Sequence, residues 1–143
     1  MGAATGAAAT GAGADTGVGA GGTAIGRGGG IYCAGASLTL HDARLRANTA
    51  AGEGGGIYAG DCRLVIEPRP DFVGNGDGFV TFFLNTSGGN GGGLYAGGDL
   101  TIVRSTVVRN QAPDGANLTV RGRLTVTASV IGEPHGGGGN CHR

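Results

Sequence analysis

Glycine triplets recur with the same neighbours: GGGIYCAG begins at residue 28, GGGIYAG at 54 and GGGLYAG at 91. A segment that returns every few tens of residues marks a unit stacked on copies of itself, because one such unit cannot bury its apolar face alone. The units align as GGGIYCAGASLTLHDARLRANTAAGE from 28, GGGIYAGDCRLVIEP from 54, GGGLYAGGDLTIVRSTVVRNQAPD from 91 and GANLTVRGRLTVTASVIGEP from 115. GGNC at 138–141 opens a further unit, which the alignment leaves truncated at the C-terminus.

Within each unit the apolar residues alternate, the period of a strand with one buried face. Ile31, Ile57, Leu94 and Leu118 form a first inward column, followed two residues on by Cys33, Ala59, Ala96 and Val120. A second short strand supplies Leu38, Leu64, Leu100 and Leu124, then Leu40, Ile66, Ile102 and Val126; a third supplies Leu45, Phe82, Val107 and Ile131. Three short strands per unit of ~24 residues, separated by glycine-rich or polar corners, predict an all-β parallel β-helix, or β-solenoid, of about four coils.

Each glycine triplet falls at a corner, where φ is positive or backbones pass closely. The Ile-Tyr pair then starts a strand, Ile inward and Tyr outward, so Tyr32, Tyr58 and Tyr95 are expected to stack at the ~4.8 Å spacing of adjacent strands. That row is the candidate binding surface, for the rings of a surface glycan or for a host or neighbouring-cell protein. Shielding of the corners is the competing structural role. Three residues after the third column stand Asn48, Asn85 and Asn110. Asparagine tolerates a left-handed corner and its amide bonds the coils on either side, so these three predict a structural ladder.

The pairing of GGG-[IL]-Y with a following apolar-x-x-Asn resembles the GGA[IL] and FxxN motifs of the polymorphic outer membrane proteins. FFLN at 82–85 matches FxxN outright, and LRAN at 45–48 and VVRN at 107–110 match with the Phe replaced. Over residues 28 to about 141 the resemblance implies a right-handed, single-stranded, pectate-lyase-like β-helix of the kind found in large bacterial surface proteins. It implies an extracellular or outer-surface location and a role as adhesin, autotransporter passenger or stalk. Autotransporter members carry a signal peptide and a membrane barrel; no signal is visible here, and this segment is not expected to enter a membrane itself.

Composition agrees. Glycine is 35 of 143 residues, with 4 Phe, 3 Tyr and no Trp, too few large side chains for an ordinary globular core, and the strict period of collagen is missing. Residues 1–27 are almost all Gly, Ala and Thr and are expected to be a flexible low-complexity leader, because such a segment buries little apolar surface against its ordering entropy. Residues 28–143 hold the coils. Ten basic residues, all Arg, balance ten acidic ones, so no net field favours nucleic acid as a partner. A stack of coils presents unpaired strand edges at its ends, and end-to-end self-association is expected from them.

Little else carries chemistry. The unit from 54 holds 11 residues more than the one from 28, placed as a loop insertion at 67–79, where Pro68 and Pro70 bar a central ladder. Asp71, Asn75 and Asp77 in it could offer oxygens to Ca²⁺, but the N-x-D-G piece at 75–78 lacks the first Asp and final Glu of a calcium loop. No cofactor is therefore expected, with Ca²⁺ the single candidate. The residues before the second strand read Ser37, Arg63, Asp99 and Arg123, with no two stacked acids, so no catalytic residue is assigned. A carbohydrate-active lyase or hydrolase, or a glycan-binding module, on the same fold is the alternative. Cys33, Cys62 and Cys141 are placed beyond the ~7 Å Cα limit for bridging, leaving Cys33 and Cys141 as small buried apolar groups. Cys141, His142 and His135 lack a second Cys at zinc spacing, so no metal site is expected. Thr39, Thr101 and Thr125, interrupted by Val65, fall short of an ice-binding face.

Overall fold

The alternation of SLTLH at 37–41 becomes a strand in the computed structural model, with Leu38 and Leu40 buried and Ser37 exposed. The structure describes residues 7–8, 14–15, 18–20, 23–33, 35, 37–41, 43–68 and 79–143. Over these residues the chain is all-β, without a helix, and the strands of its four sheets pair in parallel.

The first sheet has six strands, in the order Ala7–Ala8, Ile31–Cys33, Ile57–Ala59, Leu94–Ala96, Leu118–Val120 and Cys141–His142. The second has five: Ala14–Asp15, Ser37–His41, Arg63–Ile66, Leu100–Val103 and Leu124–Thr127. Val18–Ala20, Arg44–Arg46, Val80–Phe83, Ser105–Val108 and Val130–Gly132 make the third, and Thr23–Ala24, Thr49–Ala50 and Thr86–Ser87 a short fourth. The chain visits the sheets in that order and then returns to the first. The fourth sheet was not expected from the alternation, because strands of two residues are too short to show a period.

Register puts the expected columns side by side. Leu38 pairs with Leu64, Leu64 with Leu100 and Leu100 with Leu124, while Leu45, Phe82, Val107 and Ile131 pair in succession in the third sheet. A one-residue slip would turn every side chain to the other face, so the buried leucines themselves hold the register. Phe82 is the largest side chain fully buried in this core. Burial fades in the outermost strands: Leu124 and Ile131 are only partly buried and Val126 is 42% exposed, since each lies in a strand with a neighbour on one side only.

Four short pieces of the expected leader, Ala7–Ala8, Ala14–Asp15, Val18–Ala20 and Thr23–Ala24, stand in the sheets. Ala7 pairs with Ile31, Ala14 with Leu40, Gly19 with Leu45 and Ala24 with Ala50. The expectation weighed side-chain burial alone, whereas sheet pairing uses backbone N–H and C=O groups that Gly, Ala and Thr carry like any residue. The insertion falls largely outside the described residues, which resume at Phe79.

At the corners, Gly54 has φ +72°, and a Cβ on Gly55 would lie 2.4 Å from the Gly92 carbonyl oxygen, so the triplet serves both a left-handed turn and a close backbone approach. The asparagine corner works differently from expectation. The left-handed residue is the one before each Asn: Ala47 at φ 53°, Leu84 at 55° and Arg109 at 55°. The asparagines turn their amides inward. Asn48 donates from Nδ2 to Asn85 Oδ1 at 2.9 Å, and Asn85 from Nδ2 to Asn110 Oδ1 at 2.9 Å, with each backbone N–H aimed at the same acceptor. The ladder then continues through a residue that the alignment missed. Pro134 stands where the next Asn would be, and Asn110 donates instead to Asn117 at 2.9 Å, which in turn bonds Asn140.

The cysteine expectation is corrected. Cys33 and Cys62 form a disulfide with a Cα–Cα distance of 6.0 Å, and both are fully buried. Cys33 lies in register with Ala59; measuring from Ala59 to Cys62 as straight strand overshoots, because residues 60–62 turn inward at the corner before Arg63–Ile66 begins. Cys141 is a free, exposed thiol rather than a buried one, as its strand is the outermost of the first sheet.

Candidate binding face

Parallel, in-register pairing repeats whatever residue stands at a position, and in the first sheet it repeats tyrosine. Tyr32 lies opposite Tyr58 and Tyr58 opposite Tyr95. The rings stack with centroids 5.2 Å apart in both pairs and interplanar angles of 19° and 9°. All three are half-buried. Gly60 makes room for the middle ring, since a Cβ there would meet the Tyr58 ring and hydroxyl at 2.9 Å. The row stops at Thr119, which is in register with Tyr95.

Beside the rings runs a second set that the alignment overlooked because it began each unit at its glycines. Arg27 and Glu53 each precede a triplet, and they form an ion pair with Arg27 Nε donating to Glu53 Oε2. The same guanidinium lies over the Tyr58 ring, 5.0 Å from its centroid, an attraction of cation to ring quadrupole. Asn90 and Asp114, also directly before a triplet and before GAN, pair with each other through their backbones. Burial pushes the Tyr58 phenol above its ordinary range, and the Arg27 charge works against that shift.

This geometry decides how the row can meet a ligand. Tyr58 is stacked between Tyr32 and Tyr95, so the middle ring is closed to face-on stacking and the row runs as a line of ring edges and phenol groups. Such a line offers hydroxyl donors and acceptors at strand spacing, flanked by one cation and one anion. The asparagines Asn48, Asn85 and Asn110 are at most 1% exposed and touch no surface ligand. Asp71, Asn75 and Asp77 lie outside the described residues. Elsewhere, Ser87, Gln111, Ala112, Pro113, Gly137 and Gly138 line a groove of about 480 Å³ without a titratable side chain. Compared with protein-family models, curated proteins and solved structures, the chain matches none.

Proposed function

We propose that this chain is a segment of an exported, non-enzymatic β-helix, right-handed and stacked coil on coil, that presents the tyrosine row as a binding face on a bacterial outer surface. The observation that carries the reading is the row itself. Three tyrosines at successive in-register positions, with a guanidinium and a carboxylate beside them, form a repeated hydroxyl-bearing edge that the core does not need.

The order in which the chain visits the sheets, and the pairing of each strand with those one visit earlier and later, support the coiled arrangement. The buried Cys33–Cys62 disulfide supports an oxidising compartment, since such bonds persist outside the cytosol. The likeness of GGG-[IL]-Y and apolar-x-x-Asn to the polymorphic outer membrane protein motifs supports an adhesin or passenger role, with a surface glycan or a neighbouring-cell protein as ligand.

The test is a glycan and cell-binding screen of the wild type against two triple variants. Replacing Tyr32, Tyr58 and Tyr95 by Phe keeps the stack and removes the hydroxyls; replacing them by Ala removes both. Loss of binding in the Phe variant, with unchanged melting, is the expected result. Binding that survives both triples would assign the row to corner shielding alone.

A further inference from the structure

A second surface, on the third sheet, has features the tyrosine row does not explain. Along Arg44–Arg46 the alternation buries Leu45 and leaves Arg44 and Arg46 exposed. Register sets Thr81 beside Arg44 and Phe83 beside Arg46. These five side chains line a surface cavity of about 370 Å³. The Arg46 guanidinium lies 5.9 Å from the Phe83 ring centroid and that of Arg109 lies 6.0 Å from it. Arg109 is answered by Glu133, Nε to Oε2 at 2.9 Å. Neither Arg44 nor Arg46 has an ion-pair partner among the described residues. On the other flank Val18 stands in register with Arg44 and Ala20 with Arg46.

Two guanidiniums without an ion-pair partner among the described residues, in one cleft of a chain with no net charge, are a local field, not a general one. Side chains two apart on a strand lie ~7 Å apart on one face, so the pair can hold two separate oxyanions or straddle one. Contact with the Phe83 ring, 5.9 Å from its centroid, restrains the Arg46 guanidinium, and a restrained planar fork has a lower ordering cost in an anion-binding contact. The kind of partner follows from what the face lacks. Backbone N–H and C=O groups of an inner strand are used in the plane of the sheet, so a peptide laid on this face gains no main-chain bonds. A nucleic acid needs a longer run of cations than two. A chain of sugars carrying spaced anionic groups needs only forks for its charges and a hydroxyl, which Thr81 supplies.

We propose that this cleft binds an anionic polysaccharide, with Arg44 and Arg46 holding its sulfate or carboxylate groups and Thr81 bonding a sugar hydroxyl. The site is independent of the tyrosine row, which lies on another sheet.

Binding is measured on one polymer backbone in three forms: dextran sulfate, carboxymethyl dextran and neutral dextran. The wild type is expected to bind one or both charged forms at low salt and not the neutral one. Sulfate alone, or both, names the group recognised. Arg44→Gln with Arg46→Gln should weaken binding by roughly tenfold or more, as expected for loss of charge-assisted fork contacts, and Arg44→Lys with Arg46→Lys should weaken it less. Should the Gln pair fail to fold, the Lys pair and Thr81→Val carry the test, each with a smaller loss expected. The Tyr triple variants should bind as wild type, which separates failure here from failure of the row. Arg121→Gln with Arg123→Gln removes the same charge from another surface; an equal loss there would overturn the proposal. So would equal binding of polyglutamate or single-stranded DNA, or no retention on either charged dextran.

Discussion

Asn85 shows why a single buried amide matters more than its size. Its Oδ1 accepts from both the backbone and side chain of Asn48, while its Nδ2 donates to Leu45 O and Asn110 Oδ1 at 2.9 Å each. Asn85→Ala removes a shared acceptor and a double donor from a buried corner, at ~1–3 kcal/mol for each group left unsatisfied. A loss on the order of 3 kcal/mol is expected in urea denaturation, where the exposed Leu84→Ala should change far less. An equal effect at both would mean that water enters the corner and replaces the ladder. This ladder was legible in the sequence as far as Asn110, because Asn48, Asn85 and Asn110 share one offset from the third column. Its continuation was not: Asn117 takes the place of the third glycine of a triplet, a position without a side chain in the other units, and only the bond from Asn110 Nδ2 shows that its amide takes up the ladder. Likewise the left-handed residue was misplaced by one, since Ala47, Leu84 and Arg109 share no chemistry that marks them.

Among the elements, the strands with apolar alternation were readable and those without it were not. The columns through Leu38 and Leu45 pair as the alignment placed them, whereas Ala7–Ala8 and Thr23–Ala24, which pair with Ile31 and Tyr32 and with Thr49–Ala50, have no apolar alternation in the sequence to mark them. The disulfide was hidden by a different cause, the turn of the chain at residues 60–62. It joins the last residue of Ile31–Cys33 in the first sheet to the corner residue just before Arg63–Ile66 of the second, across a sequence separation of 29. On the loop-entropy account, closing a loop of that length restricts the unfolded chain by roughly 3–4 kcal/mol. Reduction, or Cys33→Ala with Cys62→Ala, is therefore expected to lower the melting temperature markedly while the circular dichroism stays that of a β protein. A melting curve indifferent to reductant would mean that the bond does not form in solution.

At the scale of the molecule, each strand depends on its neighbours along the sheet, so stability should fall from the inner strands to the outermost ones. Leu64, Leu100 and Ile102 are fully buried, while Val126 and Val130 are 42% and 59% exposed. Leu100→Ala should cost ~2–5 kcal/mol through lost transfer energy and a cavity; Val126→Ala, with solvent already at the side chain, should stay within about 1 kcal/mol. Native-state hydrogen exchange should follow the same gradient, with the slowest amides in Arg63–Ile66 and Leu100–Val103 and the fastest in Leu124–Thr127, which opens without disturbing the centre. Uniform protection would instead mean that all the strands open together. Repeating the exchange over a range of protein concentration separates that from association: if a second copy covers the open flank of Leu124–Thr127 and Val130–Gly132, only those amides slow as concentration rises, and Val126→Arg, a charge on that flank, abolishes the slowing.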